Sequence, residues 1–286
     1  MTALQTLFYH LTTLFLFTKS DIKTTLIPVT VFAIVAAPVK DISRVPHVVF
    51  WIWLHLLQFN VSNQTLSPEE DAHNKVDRPL PSGRITLPNA LVLRWALIPT
   101  CFLLSIAYSV QTLYASVALV TFTIIYDELH AHAAHWAVRN IINAAGFASF
   151  EWGATLVAGA SRSHLDDAGV LAVWLSAGIF ASTIHTQDFK DIEGDRLVGR
   201  RTLPIVSPNH ARKTVLAGLW SWSLLLVAAW NVYAITATVF LSLATLVGGR
   251  FLLLKSVADD QVSFYIYNVW LSFAHALPGY WRYMRA

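Results

Sequence analysis

About nine apolar stretches, each near 20 residues long, follow one another along this chain and limit what it can fold into. A helix of about 20 residues spans the roughly 30 Å hydrocarbon layer of a bilayer. The short connections leave no room for a separate soluble domain, so we expect one all-α membrane domain over residues 1–286. The predicted spans are 22–39, 46–66, 89–109, 111–129, 137–160, 168–187, 212–229, 232–254 and 262–281.

Composition supports a polytopic helical bundle and excludes several other classes. Only 13% of the 286 residues are charged, 55% are apolar and the mean hydropathy is +0.52, whereas soluble domains carry about 25% charged residues. The apolar runs are too long for barrel strands of about ten alternating residues. A net charge of +3, spread along the chain, gives no reason to expect a nucleic-acid partner. The single cysteine, Cys101, can form neither an internal disulfide nor a cysteine metal site.

The segments on the two sides of the membrane differ in their number of Lys and Arg residues, which predicts the orientation of the chain in the bilayer. With nine spans, 15 of the 20 Lys and Arg residues fall on the side of the N-terminus. The positive-inside rule makes that side cytosolic. The apolar segment 1–17 has neither a basic leader nor a small-residue cleavage site, so we interpret it as an interfacial helix. We expect an integral membrane protein of the endoplasmic reticulum.

A polar segment after the sixth span has a regular spacing of acidic residues. Asp188, Asp191 and Asp195 stand at i, i+3 and i+7, which places them on one helix face. Adjacent carboxylates repel each other unless a cation lies between them, and oxygen-only ligands suit Mg²⁺. The basic residues that follow can grip phosphate. The segment therefore predicts a metal-bridged diphosphate site, and the alternative is a solvated, salt-bridged loop.

A second polar segment, after the second span, falls on the same predicted side. Asn63, Ser67 and Asp71 stand at i, i+4 and i+8, and Glu69 and Glu70 offer further oxygen ligands. The Pro-rich stretch after them is typical of a fixed turn that presents two guanidinium groups, those of Arg78 and Arg84. We expect this segment to form the opposite wall of the same site.

Together these two segments resemble the motifs of the UbiA superfamily of intramembrane prenyltransferases. The family pattern after the second span is Asn-Asp-x-x-Asp-x-x-x-Asp, then Asn-x-x-x-Arg-Pro and Pro-Ser-Gly-Arg. After the sixth span it is Asp-x-x-Asp-x-x-x-Asp, then Arg, Gly-Arg and Thr-Leu-Pro. The matching residues are Asn63, Asp71, Asn74, Arg78, Pro79 and 81–84, and then Asp188, Asp191, Asp195, Arg196, Gly199, Arg200 and 202–204.

The resemblance implies a helical bundle around a cavity that opens sideways into lipid. It also implies that Mg²⁺ ions hold a prenyl diphosphate and help pyrophosphate leave, which generates an allylic cation. The implied catalytic residues are Asp71, Asp188, Asp191 and Asp195. The implied metal ligands are Asn63, Glu70, Asp71, Asp188, Asp191 and Asp195. The implied diphosphate-binding residues are Lys75, Arg78, Arg139, Lys190, Arg196 and Arg200.

The sequence departs from the family pattern in two places. Gln64 and Ser67 replace two usual aspartates, and only Arg139 remains of the basic cluster expected after the fourth span. This variant resembles a fungal branch that includes membrane-bound terpene cyclases, which close farnesyl diphosphate on itself. Two alternatives stay open: prenyl transfer to an aromatic acceptor, and a non-catalytic scaffold. The expected partners are the prenyl diphosphate and the bilayer, with no obligate protein partner.

Three histidines after the fourth span form a separate candidate. His130, His132 and His135 do not share a helix face, so a zinc site is not expected. Packing histidines, or a deprotonating base near the cavity, remain as the two interpretations.

Overall fold

The computed structural model describes residues 2–39, 41–66, 68, 71, 75–197 and 199–284. All regular structure in these ranges is helical, which confirms the predicted all-α class. Its helices are α1 Ala3–Thr18, α2 Ile27–Ala36, α3 Arg44–Leu66, α4 Leu87–Tyr108, α5 Val110–Asp127, α6 Trp136–Ala158, α7 Asp167–Thr183, α8 Ile192–Leu197, α9 Leu203–Val206, α10 Pro208–Ala229, α11 Ala234–Leu253 and α12 Val257–Met284.

Each predicted span falls on one of these helices, but their lengths and polarity differ. Among the described residues, four helical stretches are long and apolar enough to cross a membrane by composition alone: Leu87–Tyr108, Val110–Asp127, Asp167–Asp188 and Ala234–Leu253. The other helices of the predicted spans are shorter or less apolar. The total of nine spans therefore stays a prediction.

Local sequence explains where several helices begin. The side chains of Thr86, Ser109 and Asp166 accept backbone N–H groups at the starts of α4, α5 and α7, as N-cap residues do. The first predicted span, 22–39, is interrupted, because a π-helical turn over Ile22–Leu26 precedes α2. Pro28 lacks an N–H and cannot continue the regular hydrogen-bond ladder there.

Close helix contacts build the bundle around its interior. The indole of Trp51 on α3 lies against Gly153 on α6, where an added Cβ atom would overlap the ring. The indole Nε1 of Trp51 donates to Ser105 Oγ on α4 at 2.9 Å. This contact holds three helices together, and only glycine leaves the space it needs.

The two ends of the bundle are tied by different ion pairs. At one end, Arg282 of α12 donates to both oxygens of Asp166 at 2.5 and 2.7 Å and to the Ala36 carbonyl at 2.6 Å. At the other end, Arg212 donates to both oxygens of Asp260 at 2.7 and 2.8 Å. Both polar segments lie at this second end, where the main cavity opens.

Candidate active site

A cavity of about 700 Å³ lies between α3, α5, α6, α7 and α12. The helices expose one face each to it, as α6 illustrates with Arg139, Asn143, Gly146, Phe147 and Phe150. These positions recur every three or four residues, the spacing of one helix face. The volume is typical of pockets that bury a small-molecule ligand, about 300–1,000 Å³.

Aspartate–cation pairs from the second polar segment form one wall at the polar end of the cavity. Arg139 Nη1 donates to Asp188 Oδ2 at 2.8 Å, and Arg200 Nη1 donates to Asp195 Oδ1 at 3.0 Å. Both aspartates are buried, whereas the Asp191 side chain is 46% exposed and accepts from Lys190 Nζ at 2.5 Å. Arg139 is the one basic residue that remains of the cluster expected after the fourth predicted span, and it contacts the motif aspartate Asp188 directly.

The backbone explains how these side chains come together. The Asp191 N–H donates to the Asp188 carbonyl and the Asp195 N–H to the Asp191 carbonyl. The predicted single helix is wrong, however, because Asp188 ends a 3₁₀ turn, Asp191 lies in the turn that follows, and α8 begins only at Ile192. Gly199 then adopts a φ of +72°, and the Arg200 N–H donates to the Asp195 carbonyl at 2.9 Å. A left-handed glycine after the helix end is a common C-terminal cap. It turns the chain so that Arg200 faces Asp195.

The first polar segment contributes the opposite wall, with Lys75, Arg78 and Asn63 lining the cavity. Arg78 Nη1 donates to both oxygens of the buried Asp71. Asp71 itself is not among the lining residues. Burial, followed by the neighbouring Arg78 cation, lowers the pKa of the Lys75 ammonium from its ordinary value.

The structure therefore gathers ten of the proposed site residues around one cavity: Asn63, Lys75, Arg78, Arg139, Asp188, Lys190, Asp191, Asp195, Arg196 and Arg200. Asp71 lies behind Arg78. Ser67, Glu69, Glu70 and Asn74 lie outside the described residues.

The prediction that Arg84 presents a second guanidinium group to the site is wrong. Arg84 donates to Thr13 Oγ1 and to the Tyr9 carbonyl, and its guanidinium lies 4.3 Å from the centre of the Tyr9 ring. The left-handed Gly83, with a φ of +69°, turns the loop back towards α1. Gln64 also faces α1, because its Nε2 donates to the Phe17 carbonyl at 3.0 Å.

The donor chemistry of the site fits Mg²⁺. Among the described residues, no three His, Cys, Asp or Glu side chains are gathered closely enough to hold a metal ion. Asp71, Asp188, Asp191 and Asp195 are each paired with a Lys or Arg side chain. However, Asp195 Oδ2 is buried without a hydrogen-bond donor from the described chain. A hard cation suits carboxylate and amide oxygens of this kind.

The far part of the cavity is apolar and aromatic. Phe147 of α6 and Phe180 of α7 stack with ring centres 3.9 Å apart and planes 10° from parallel. The aromatic residues lining the cavity in the described chain are Phe59, Phe122, Tyr126, Phe147, Phe150, Phe180, Phe189, Phe264 and Tyr267. Sequence reasoning named none of them. Their recurrence every three or four residues beside polar lining positions is the signal that could have identified them.

The three histidines have local partners. His132 Nδ1 lies 2.8 Å from the Tyr126 carbonyl, and the His135 ring accepts the Ala137 N–H at the start of α6. His130 adopts a φ of +56° between the end of α5 and the 3₁₀ turn Ala131–Ala133. None of the three lines the cavity, so these contacts favour the packing interpretation.

Comparison with known proteins places the chain among enzymes with this architecture. The UbiA prenyltransferase family profile matches residues 25–272. A fumagillin β-trans-bergamotene synthase of Aspergillus fumigatus is 35% identical over 94% of this chain and 92% of its own length. A diterpene cyclase of Hericium erinaceus is 32% identical over 70% of this chain and 65% of its own length. A polyprenyl transferase of the same fungus is 28% identical over 72% of each chain.

Solved structures share the fold at low identity. A UbiA homolog from Archaeoglobus fulgidus bound to GPP and Mg²⁺ superimposes with a TM-score of 0.67 at 13% identity, over 93% of this chain and 98% of that one. The family profile and the bergamotene synthase each cover most of the chain. The chain therefore belongs to the UbiA prenyltransferase family and is an integral membrane enzyme.

Proposed function

We propose that this protein is a Mg²⁺-dependent terpene cyclase that ionises a prenyl diphosphate, preferably farnesyl diphosphate, and closes the prenyl chain on itself. The observation that carries this proposal is one cavity with two chemically different ends. Its mouth holds Asp188, Asp195 and Arg139, and its depth is lined by aromatic rings. That arrangement suits an anionic head attached to a hydrocarbon chain.

The cations at the mouth bind the diphosphate. Arg139 and Arg78 each donate to an aspartate from one guanidinium nitrogen. A guanidinium group carries five N–H donors, so other N–H groups of these two arginines can bind phosphate oxygens. Lys75, Lys190, Arg196 and Arg200 line the same cavity and add positive charge there. Mg²⁺, held by Asp188, Asp191, Asp195 and Asn63, would supply neutralisation of negative charge on the leaving diphosphate.

The apolar depth of the cavity protects the reactive cation. Phe147, Phe150 and Phe180 present ring faces and edges without a nucleophilic atom. Aromatic faces stabilise a desolvated cation by about 2 kcal/mol or more. Excluding water also prevents quenching of the cation, so the allylic cation can react with a double bond of its own chain. The cyclic cation then loses a proton to give the neutral hydrocarbon, and the departed pyrophosphate can accept that proton.

Similarity to the bergamotene synthase and the diterpene cyclase favours cyclisation. Similarity to the polyprenyl transferase supports a second candidate, transfer of the prenyl group to an aromatic acceptor in the same cavity. A non-catalytic scaffold is disfavoured by family membership and by the assembled carboxylates. We further propose that the cavity mouth faces the cytosol from the endoplasmic reticulum membrane, as the Lys and Arg distribution favours.

The test is an acceptor requirement. Membranes containing the protein, Mg²⁺ and farnesyl diphosphate alone are expected to release pyrophosphate and a cyclic hydrocarbon, identified by mass spectrometry. The matched inactive control is Asp191→Ala, and Asp259→Ala removes a partly exposed carboxylate at the start of α12 that does not line the cavity. A prenylated product formed only with an added acceptor would favour the transferase. No pyrophosphate release from any prenyl diphosphate would overturn both.

A further inference from the structure

Two asparagines of α3 make the same kind of contact with two different segments. Asn60 Nδ2 donates to Asp21 Oδ2 at 2.9 Å, where Asp21 ends the 3₁₀ turn before the π-helical turn. Asn63 Nδ2 donates to Asp127 Oδ1 at 3.3 Å, at the end of α5. Each amide is therefore held by a carboxylate that lies far away in sequence.

Both asparagines face the cavity. Asn60 and Asn63 stand at i and i+3 of α3, on one face of the helix, and both line the cavity wall. A side-chain amide has NH₂ donors on one atom and an acceptor oxygen on the other. Since the NH₂ groups are engaged by the carboxylates, the carbonyl oxygens are the atoms left for a ligand. No donor from the described part of the chain is hydrogen-bonded to either oxygen.

The two carboxylates are unusual in their own right. Asp127 is fully buried beside the side chains of Asn63 and Ser62, and its Oδ2 has no donor at ideal hydrogen-bond geometry among the described residues. A buried carboxylate with an unsatisfied oxygen is costly, so its retention points to a role beyond packing. Asp21 also lines the cavity and adjoins a π-helical turn, a feature found frequently at functional sites.

We propose that Asn60 and Asn63 form an amide wall, in which both carbonyl oxygens are cation ligands and Asp21 and Asp127 are their positioning residues. This wall stands where the first acidic motif is depleted, since Gln64 has turned away to α1. The inference rests on the proposed Mg²⁺–diphosphate site. It adds Asn60 as a ligand and assigns a role to two carboxylates outside both acidic motifs.

Metal binding, rather than turnover, tests the amide wall. Mn²⁺ is titrated into the purified full-length protein with inorganic pyrophosphate, and free Mn²⁺ is measured by electron paramagnetic resonance. Asp127→Ala and Asp21→Ala are each expected to raise the Mn²⁺ dissociation constant about 10–100-fold, the usual effect of removing a group that orients a ligand. Asn60→Ala is expected to weaken binding at least as much. The matched control, Glu128→Ala, removes the neighbouring carboxylate that pairs with Arg94, and wild-type affinity is expected.

Two further variants separate orientation from charge and from folding. Asp127→Asn keeps an oxygen that can accept from Asn63, so the Mn²⁺ affinity is expected to stay within about threefold of wild type, well below the roughly 10–100-fold loss caused by removing an orienting group. Asn63→Asp needs no orientation, because its two oxygens are equivalent. It is expected to recover affinity in the Asp127→Ala background and to lower it in the wild-type background, where two carboxylates would face each other.

The outcomes distinguish this inference from the proposed function. If wild-type protein binds Mn²⁺ but Asp127→Ala and Asp21→Ala bind it equally well, the amide wall is overturned and the function stands. The amide wall is also overturned if Asp127→Asn and Asp127→Ala weaken Mn²⁺ binding equally. The same holds if the losses of Mn²⁺ affinity from Asn63→Asp and Asp127→Ala add in the double variant. If the wild-type protein binds no Mn²⁺ with pyrophosphate, the proposed metal site itself fails.

Discussion

Arg78 and Asp71, seven positions apart, are joined by one guanidinium nitrogen that donates to both carboxylate oxygens at 2.8 and 2.7 Å. Arg78 lines the cavity and Asp71 does not. In this arrangement Asp71 fixes the direction of Arg78. In the proposed function, Asp71 would therefore contribute to diphosphate binding through Arg78.

Asp71→Asn is expected to raise the KM for the prenyl diphosphate about 10–100-fold, since a hydrogen bond to a charged group contributes about 1.5–3 kcal/mol. Arg78→Ala is expected to have a similar effect, and the double variant should be little worse than the more damaging single one. Steady-state pyrophosphate release measures all three. If the increases in KM of the two single variants multiply in the double variant, Asp71 acts independently of Arg78, as a direct metal ligand.

Asp188→Ala is expected to abolish turnover and also to destabilise the protein, because it leaves Arg139 buried without its partner. Breaking a buried pair costs about 3–5 kcal/mol. Asp191→Ala is the matched comparison: its side chain is 46% exposed, so turnover should be lost with little change in thermal unfolding. The Arg139→Met/Asp188→Leu double variant should regain stability but remain inactive. Full activity in either single aspartate variant would contradict the site assignment.

Gly199→Ala is expected to destabilise the protein by about 1 kcal/mol, because a Cβ atom is disfavoured in the left-handed region. It should also weaken diphosphate binding by displacing Arg200. The control is Gly249→Ala on α11, where nothing lies within 4 Å of the added Cβ; it is expected to stabilise the helix by about 0.5–1 kcal/mol. Thermal unfolding of both variants checks the pair. Equal changes in thermal unfolding for the two variants would show that the positive φ of Gly199 does not determine the loss of stability.

Asn60 and Asn63 each lie in an Asn-x-Ser/Thr sequence, yet neither is expected to carry a glycan. Asn60 is only 4% exposed, and Asn63 faces the cavity. The predicted cytosolic orientation would also keep both from the glycosylating enzymes. Protein expressed in a eukaryotic host should show no mobility shift after glycosidase treatment. A shift that disappears in Asn60→Gln or Asn63→Gln would place the cavity mouth on the lumenal side.

Features that depend on nearby residues were accessible from the sequence. The spacing of Asp188, Asp191 and Asp195 located one wall of the site, because the short 3₁₀ turn, turn and helix that carry them keep residues seven positions apart close together. The main bundle helices were located to within a few residues, apart from the ends where polar turns begin. The start of α10 at Pro208, rather than near 212, is an example, since hydropathy does not register the turn that Pro208 and Asn209 add.

Features that depend on contacts between distant segments were not accessible. Arg139 and Asp188 are 49 positions apart, and no local pattern pairs them. The contacts of Asn60 with Asp21 and of Arg84 with Tyr9 likewise require knowing how α1 and its following turns pack. A sequence motif identifies the residue types at a site, whereas the packing of the helices determines which of those side chains point into the cavity.

The pairing of motif aspartates with Arg139, Arg200, Arg78 and Lys190 has a consequence for how the enzyme recognises its ligands. If the site binds Mg²⁺ and a diphosphate as proposed, the diphosphate would compete with the aspartates for the cations, and the metal ion would compete with the cations for the aspartates. Each ligand would then free the groups that the other requires, and this coupling would be reciprocal by thermodynamic necessity. Such a site would favour metal and diphosphate bound together over Mg²⁺ alone or a metal-free phosphate.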